Sequence, residues 1–150
     1  MRTLLVAAAM MLLSACPKPQ PTGAGTTGAR SSRAAIEAFL SAARAGDIQA
    51  LTAVWGSERG AARDRMPPDQ LEKNAVILAC HFRNSGYEIQ SERTSDNGDR
   101  VTRVEIRFAD IRRSTTFNTV EGPGDRWYVA NADVVAVQDI AKQDPACTPR

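Results

Sequence analysis

The sequence predicts an α+β fold, with helices in the first half of the domain and an antiparallel four-stranded meander in the second. Two observations indicate it. Apolar residues recur at helical spacing up to Phe82 and then alternate with polar residues from Tyr87 onward. The alternating part contains Asn97-Gly98, a strong signal of a tight hairpin. The predicted domain covers residues 33–150.

Three helices are predicted in the first half of the domain. Ser31 or Ser32 caps the first helix, which stops at Gly46, and Asp47 caps the second. Asp69 is expected to cap the third. The middle of that helix reads AVILAC and is apolar nearly all round, so a buried strand is the alternative; helix is favoured by its length. Its expected apolar stripe is Leu71, Ala75, Leu78 and Phe82.

A two-residue turn at Asn97-Gly98 would fix the register of the first hairpin. One face of that register is apolar and the other holds opposite charges, each charged pair contributing about 0.2–1 kcal/mol. Two more strands, near Ser114–Glu121 and Trp127–Val137, complete the meander. The predicted pairs are Tyr87–Phe108, Ile89–Ile106 and Ser91–Val104 on the apolar face, and Glu88–Arg107 and Glu92–Arg103 on the charged face.

The N-terminus resembles the export signal of bacterial lipoproteins. The apolar run Leu4–Leu13 is too short to span a membrane, which takes roughly 20 residues. It ends in LSAC at Cys16, which resembles the lipobox of that family. The resemblance implies a signal peptide over 1–15 and acyl chains such as palmitate on Cys16. An ordinary secretory signal cut after Ala15 and a cytosolic amphiphilic N-terminus are the alternatives.

Residues 16–32 are rich in proline, glycine, threonine and serine and predict a flexible tether. In the lipoprotein family an aspartate after the acylated cysteine often signals the inner membrane. Pro17 stands there in this chain, so we expect a cell-envelope protein anchored in the outer membrane and facing the periplasm. A Gram-positive host would have no outer membrane.

Charge and cysteine content limit the classes of partner and cofactor. The net charge of +2 includes Arg2, so the chain without its signal carries +1 and predicts no nucleic-acid binding. With Cys16 acylated, Cys80 and Cys147 remain, and one disulfide is expected in an oxidising compartment. Neither a metal nor another cofactor is predicted, because no Cys-x-x-Cys occurs and the chain has one histidine.

Residues 33–137 resemble the nuclear-transport-factor-2-like fold. AAIEAFLSAARAGDIQAL resembles its opening helices; YEIQSE, DRVTRVEIRFAD and GDRWYVANADV resemble its sheet. The resemblance implies a cone, in which a curved sheet wraps around helices and leaves a pocket, and a homodimer through the sheet. A cystatin-like sheet on one helix is the competing fold. The family contains ketosteroid isomerases, polyketide cyclases and dehydratases as well as binding proteins, so the fold alone does not decide the function.

Catalysis of the isomerase type needs a carboxylate base in an apolar pocket and an oxyanion donor. No motif places such a pair, so no catalytic residue is assigned. His81, Tyr87 and Asp133 remain as candidate ligand-binding residues, although a structural role for His81, packing opposite Phe108 for Tyr87, and solvent exposure or a hydrogen bond to a neighbour for Asp133 are commoner. The expected function is a membrane-anchored binding module for an envelope protein or a small apolar ligand. The alternative is a small-molecule enzyme of the ketosteroid isomerase or polyketide cyclase type.

Arginines concentrate in the second half of the domain and raise the prospect of binding anionic lipid or polysaccharide. The predicted register argues against this, because Glu88 and Glu92 would offset Arg107 and Arg103. A solvated, charge-paired outer face is therefore expected.

Overall fold

The computed structural model describes residues 26–147 and has the predicted α+β architecture. Residues 1–15, Cys16 and most of the tether lie outside the described residues. Four strands form one antiparallel sheet in the order β3-β4-β5-β6, and β1 and β2 form a separate short hairpin. The elements are α1 Ser32–Ala45, α2 Ile48–Val54, β1 Gly56–Ser57, β2 Gly60–Ala61, α3 Pro68–His81, β3 Gly86–Thr94, β4 Arg100–Phe108, β5 Ile111–Gly122, β6 Arg126–Ala132 and α4 Gln138–Gln143.

The first two helices begin where the capping residues predict. Ser31 Oγ accepts a hydrogen bond from Ala34 N at 3.2 Å, and Asp47 Oδ1 accepts one from Ala50 N at 2.9 Å. The prediction that Asp69 caps α3 is wrong. Pro68 already occupies the first turn, where its fixed φ suits a helix and its missing N–H costs nothing. The AVILAC stretch is helical.

The turn of the β3–β4 hairpin differs from the predicted one. Ser95 N donates to Asp99 O at 2.8 Å and Gly98 N donates to Ser95 O at 2.9 Å, so the loop holds three residues. Gly98 has φ +90°, as the left-handed position of such a loop requires. This turn shifts the register by one residue, which alone would exchange the two faces of the strand.

A β-bulge at Gln90 supplies the compensating residue. Tyr87 and Ile89 therefore stay on the apolar inner face, as predicted. Each pairs, however, with a residue of β4 two positions earlier in the chain than the predicted partner. Both predicted charged pairs are wrong. Beyond the bulge, Ser91 moves to the outer face and Glu92 to the inner one. The observed pairs are Tyr87–Ile106, Glu88–Glu105, Ile89–Val104, Ser91–Arg103 and Glu92–Thr102.

Glu92 ties the start of α1 to the sheet. Ser32 Oγ donates to Glu92 Oε2 at 2.8 Å, and Thr102 Oγ1 donates to the same oxygen at 3.3 Å. Thr119 Oγ1 in turn donates to Ser32 Oγ at 2.8 Å. The hydroxyls are buried, so their mutual bonding removes the cost of desolvating them.

The last strand is shorter than predicted. It ends at Ala132, because the Asp133 carboxylate accepts hydrogen bonds from Val135 N and Ala136 N and starts a single 3-10 turn over Val135–Val137. The short helix α4 follows, where the sequence predicted only a polar tail.

The core lies between α1 and the inner face of the sheet. Phe39, Phe82 and Phe117 have no exposed surface, and their ring centroids are 5.1–5.7 Å apart. Edge-to-face and tilted contacts of this kind add about 0.5–1.5 kcal/mol per pair to the burial of the rings. They join α1, the end of α3 and β5 into one unit.

The C-terminal tail is fastened to the end of α3. Cys80 and Cys147 are disulfide-bonded, as predicted, across a sequence separation of 67 residues. Arg83 Nε donates to Asp144 Oδ2 at 2.9 Å, and Ala146 N donates to Asp144 Oδ1 at 2.9 Å. Both hydrogen bonds stabilise the ionised carboxylate and so lower the pKa of the buried Asp144 side chain. The bond from Arg83 has the larger effect.

Residues 27–29 already contact β6, although the sequence predicted that the domain starts only at Arg33. Ala29 pairs with Trp127, and Arg126 donates to the carbonyl oxygens of Thr27 and Gly28 at 3.2 and 2.7 Å. At Gly28 a Cβ would stand 2.7 Å from the Tyr128 ring, so only glycine fits this close approach. Within residues 26–147 the helices are all too short or too polar to span a membrane.

Candidate functional site

An open cleft of about 360 Å³ lies between α3 and the second half of β6. Its size falls in the range of small-molecule sites, which is roughly 300–1,000 Å³. The lining is mainly apolar, with two aromatic side chains at its inner part. The lining residues are Phe39, Trp55, Asn74, Ile77, Leu78, Val129, Ala130, Asn131, Ala132 and Val134.

Small residues on β6 leave room for this cleft. The register between β5 and β6 shifts beside Val129, so Ala130 is the extra residue of a bulge. Ala130 and Ala132 fill little of the space that a large side chain would occupy. Trp55, just after α2, bridges to Val129 in parallel orientation and places its indole at the cleft.

Helix α3 supplies the opposite wall and exposes more apolar surface than a helix on a closed core. Ile77 is 49% exposed and Val76 is 45% exposed, although both are large and aliphatic. Ile77 and Leu78 line the cleft, whereas Val76 does not. Apolar surface left exposed beside a cleft, as at Ile77, is one mark of a binding site.

The polar groups of the cleft are amides. Asn74 on α3 and Asn131 on β6 are in the lining, and neither side chain is hydrogen-bonded to another of the residues the structure describes. Each amide carries donors and an acceptor for a ligand. No Asp, Glu, His, Lys or Arg is among the described lining residues. The cleft can therefore bury an apolar body and hydrogen-bond an uncharged polar group.

His81 lies in the last turn of α3, away from this lining. Its Nδ1 is 2.8 Å from the Ile77 carbonyl oxygen one turn earlier, an intrahelical contact that fixes the ring. Among residues 26–147 no cluster of histidine, cysteine and acidic side chains could hold a metal ion.

Tyr87 opens β3 and packs opposite Ile106. Partial burial, which is the largest cause, and the nearby Glu37 carboxylate, which is the next, raise the pKa of its hydroxyl above the ordinary value. The Arg44 guanidinium stands 5.9 Å from the ring centroid. Tyr87 is not among the residues that line the cleft.

Asp133 borders the cleft in sequence but caps the following 3-10 turn. The three candidate residues thus occupy a helix end, a strand start and a turn, and each has a local structural contact. The structure places none of them in the described lining of the cleft. Another aspartate and another tyrosine also lie outside the described lining of the cleft. Asp110 is in the β4–β5 turn, and Tyr128 is buried on the outer face of β6.

No protein-family model matches this chain, and neither does any curated protein or solved structure.

The amides, alanines and exposed aliphatic residues of the cleft were missed by the sequence reasoning. Two signals were present in the sequence. The AVILAC stretch is apolar on more faces than one buried stripe needs, and the VANA stretch of β6 alternates small residues where large ones normally fill a core.

Proposed function

We propose that this protein is a lipid-anchored lipoprotein of the bacterial cell envelope, whose domain binds a small, uncharged apolar ligand. The apolar cleft between α3 and β6 carries the proposal of binding. It combines a volume suited to a small molecule, an aromatic wall and two side-chain amides that have no hydrogen-bond partner within residues 26–147. Carboxylates and imidazoles are missing from its described lining, so the cleft is better suited to holding a ligand than to moving a proton.

The finer fold assignment belongs to the same proposal. The order of two helices, a short hairpin, a third helix and a four-stranded meander supports the nuclear-transport-factor-2-like cone. The bridge from Trp55 to Val129 supports it further, because it brings the β1–β2 hairpin alongside β6. Assembly of two copies through the sheet stays a prediction of the resemblance.

The membrane anchor rests on LSAC at Cys16, outside the described residues. From Cys16 to the first described residue, Thr26, a flexible tether would span roughly 15–20 Å on average. Two or three acyl chains would hold the domain stably at the bilayer, because one chain alone binds only marginally. Pro17 after the acylated cysteine supports sorting to the outer membrane. The domain would then bind its ligand or partner in the periplasm.

Mass spectrometry of the native protein tests the anchor. We expect an N-terminal peptide that begins at Cys16 and carries the added mass of a diacylglyceryl group. Cells fed a palmitate analogue should label the protein, and Cys16→Ser should abolish the label. An unmodified N-terminus that begins after Ala15 would refute the anchor and leave the cleft proposal intact.

Photo-crosslinking with an uncharged alkyl diazirine tests the cleft in the full anchored chain. We expect peptides from the middle of α3 and from residues 129–134 to carry the label. Ile77→Asp should lower the yield about tenfold, because a carboxylate in the cleft must be desolvated by an apolar ligand. Val76→Asp is the matched control, since Val76 is equally exposed but lies outside the lining. Equal losses in both variants would contradict the proposal.

A further inference from the structure

The outer face of the sheet brings two arginines together. In the observed register Ser91 faces Arg103 and Arg93 faces Val101, so Arg93 and Arg103 are diagonal neighbours on adjacent strands. Thr116 of β5 faces Arg103 from the other side. Diagonal neighbours stand roughly 7–8 Å apart, within reach of one another for long side chains. The predicted register had offset Arg103 with Glu92, which lies on the inner face instead.

Among the residues that the structure describes, these two guanidinium groups have no partner, in contrast to those of Arg112 and Arg113. Arg112 is 4.0 Å from the Glu105 carboxylate, and Arg113 is paired with Asp139. Among residues 26–147, neither the Arg93 side chain nor the Arg103 side chain makes a hydrogen bond, an ion pair or an aromatic contact. Two like charges held side by side on rigid strands repel each other, and a bound anion would relieve that repulsion.

The two arginines also line a depression of about 320 Å³. Its described lining contains no carboxylate, and its hydroxyl groups can donate alongside the guanidinium forks. Its lining residues are Ser91, Arg93, Val101, Arg103 and Thr116.

We infer that this depression binds a phosphate-type oxyanion, clamped between Arg93 and Arg103 and hydrogen-bonded by Ser91 and Thr116. Guanidinium groups suit phosphate because their planar donor pairs match its oxygens. The anion is either a soluble phosphate ester or the headgroup of an anionic phospholipid. The site shares no lining residue with the apolar cleft and does not depend on the acyl anchor.

Amide shifts of the full chain in uncharged dodecyl maltoside micelles test the inference. One titration uses glycerol 3-phosphate, and the other uses micelles doped with dioctanoyl phosphatidylglycerol. We expect saturable shifts at the Ser91 and Thr116 amides in at least one titration. Response to the first ligand identifies a soluble ester, and response to the second alone identifies a lipid headgroup.

Arg93→Gln and Arg103→Gln should each weaken binding about tenfold, the loss of one charge-assisted contact. Arg59→Gln is the control: it removes the same charge from an exposed arginine that lies beside Glu58 in the β1–β2 turn, and it should change affinity less than twofold. Unchanged melting temperatures would exclude misfolding of these exposed variants. No saturable shift with either ligand, or an equal loss in Arg59→Gln, would overturn the inference.

Discussion

The C-terminal end and the middle of helix α3 differ in how firmly they are packed. At its C-terminal end Cys80 is bonded to Cys147, Phe82 is fully buried, and Arg83 holds the Asp144 carboxylate. In its middle, Val76 and Ile77 are half exposed and the helix wall stands open to a cleft. The stabilising contacts are concentrated at the C-terminal end, so the middle of the helix can leave apolar surface exposed.

The largest effect on stability should come from the disulfide, because it links the end of α3 to a residue 67 positions later in the chain. Replacing both Cys80 and Cys147 by alanine should lower the free energy of unfolding by about 4 kcal/mol in the chain-entropy model. Urea unfolding of the oxidised protein, the reduced protein and the double variant measures it. A loss below about 1 kcal/mol would show that Asp144 and the aromatic core hold the tail without the bridge.

The Arg83–Asp144 contact should make stability depend on acid. The pKa of Asp144 is lower in the folded than in the unfolded chain, so its stabilisation is complete above about pH 4 and is lost as pH falls through the folded pKa. Asp144→Asn should cost about 2 kcal/mol at neutral pH and flatten this acid loss.

Asp139→Asn provides the comparison for that variant. Asp139 pairs with Arg113 at the surface, where both side chains are more than a third exposed, and its loss should cost at most about 1 kcal/mol. Denaturant midpoints measured from pH 2 to pH 7 give both effects. A steep acid loss that survives in Asp144→Asn would contradict the assignment to this carboxyl.

The smallest effect on stability should come from the open part of α3. Ile77→Ser and Val76→Ser should each change the free energy of unfolding by about 0.5 kcal/mol or less, because their side chains are already half exposed. Thermal melts of the two variants test this. A cost above about 2 kcal/mol at either position would indicate a closed core there instead of a cleft.

Much of the fold follows from local rules. Ser31 and Asp47 begin their helices because short polar side chains satisfy free backbone N–H groups, and this signal needs no tertiary context. The apolar face of Tyr87 and Ile89 was also predictable from the period-two pattern, whereas the faces of residues beyond the bulge, Ser91 and Glu92, were not. The pairing of Cys80 with Cys147 followed from the cysteine count once Cys16 was assigned to the anchor.

The strand register and the lining of the cleft were not correctly predicted, because they depend on single inserted residues and on small side chains that leave space unfilled. The three-residue turn at Gly98 and the bulge at Gln90 each displace the pairing by one, and only together do they restore the apolar face. Sequence periodicity cannot separate that combination from a simple two-residue turn. The cleft depends on Ala130 and Ala132 leaving space between elements distant in sequence; the VANA stretch shows the small residues but not which element lies opposite them.

Hydrogen–deuterium exchange of the full chain, with and without an uncharged long-chain alcohol such as decanol, tests binding at the cleft most directly. We predict slower exchange in peptides covering the middle of α3 and residues 129–134, with no change in residues 138–147. Protection confined to other segments, or none at all at saturating decanol, would contradict the account.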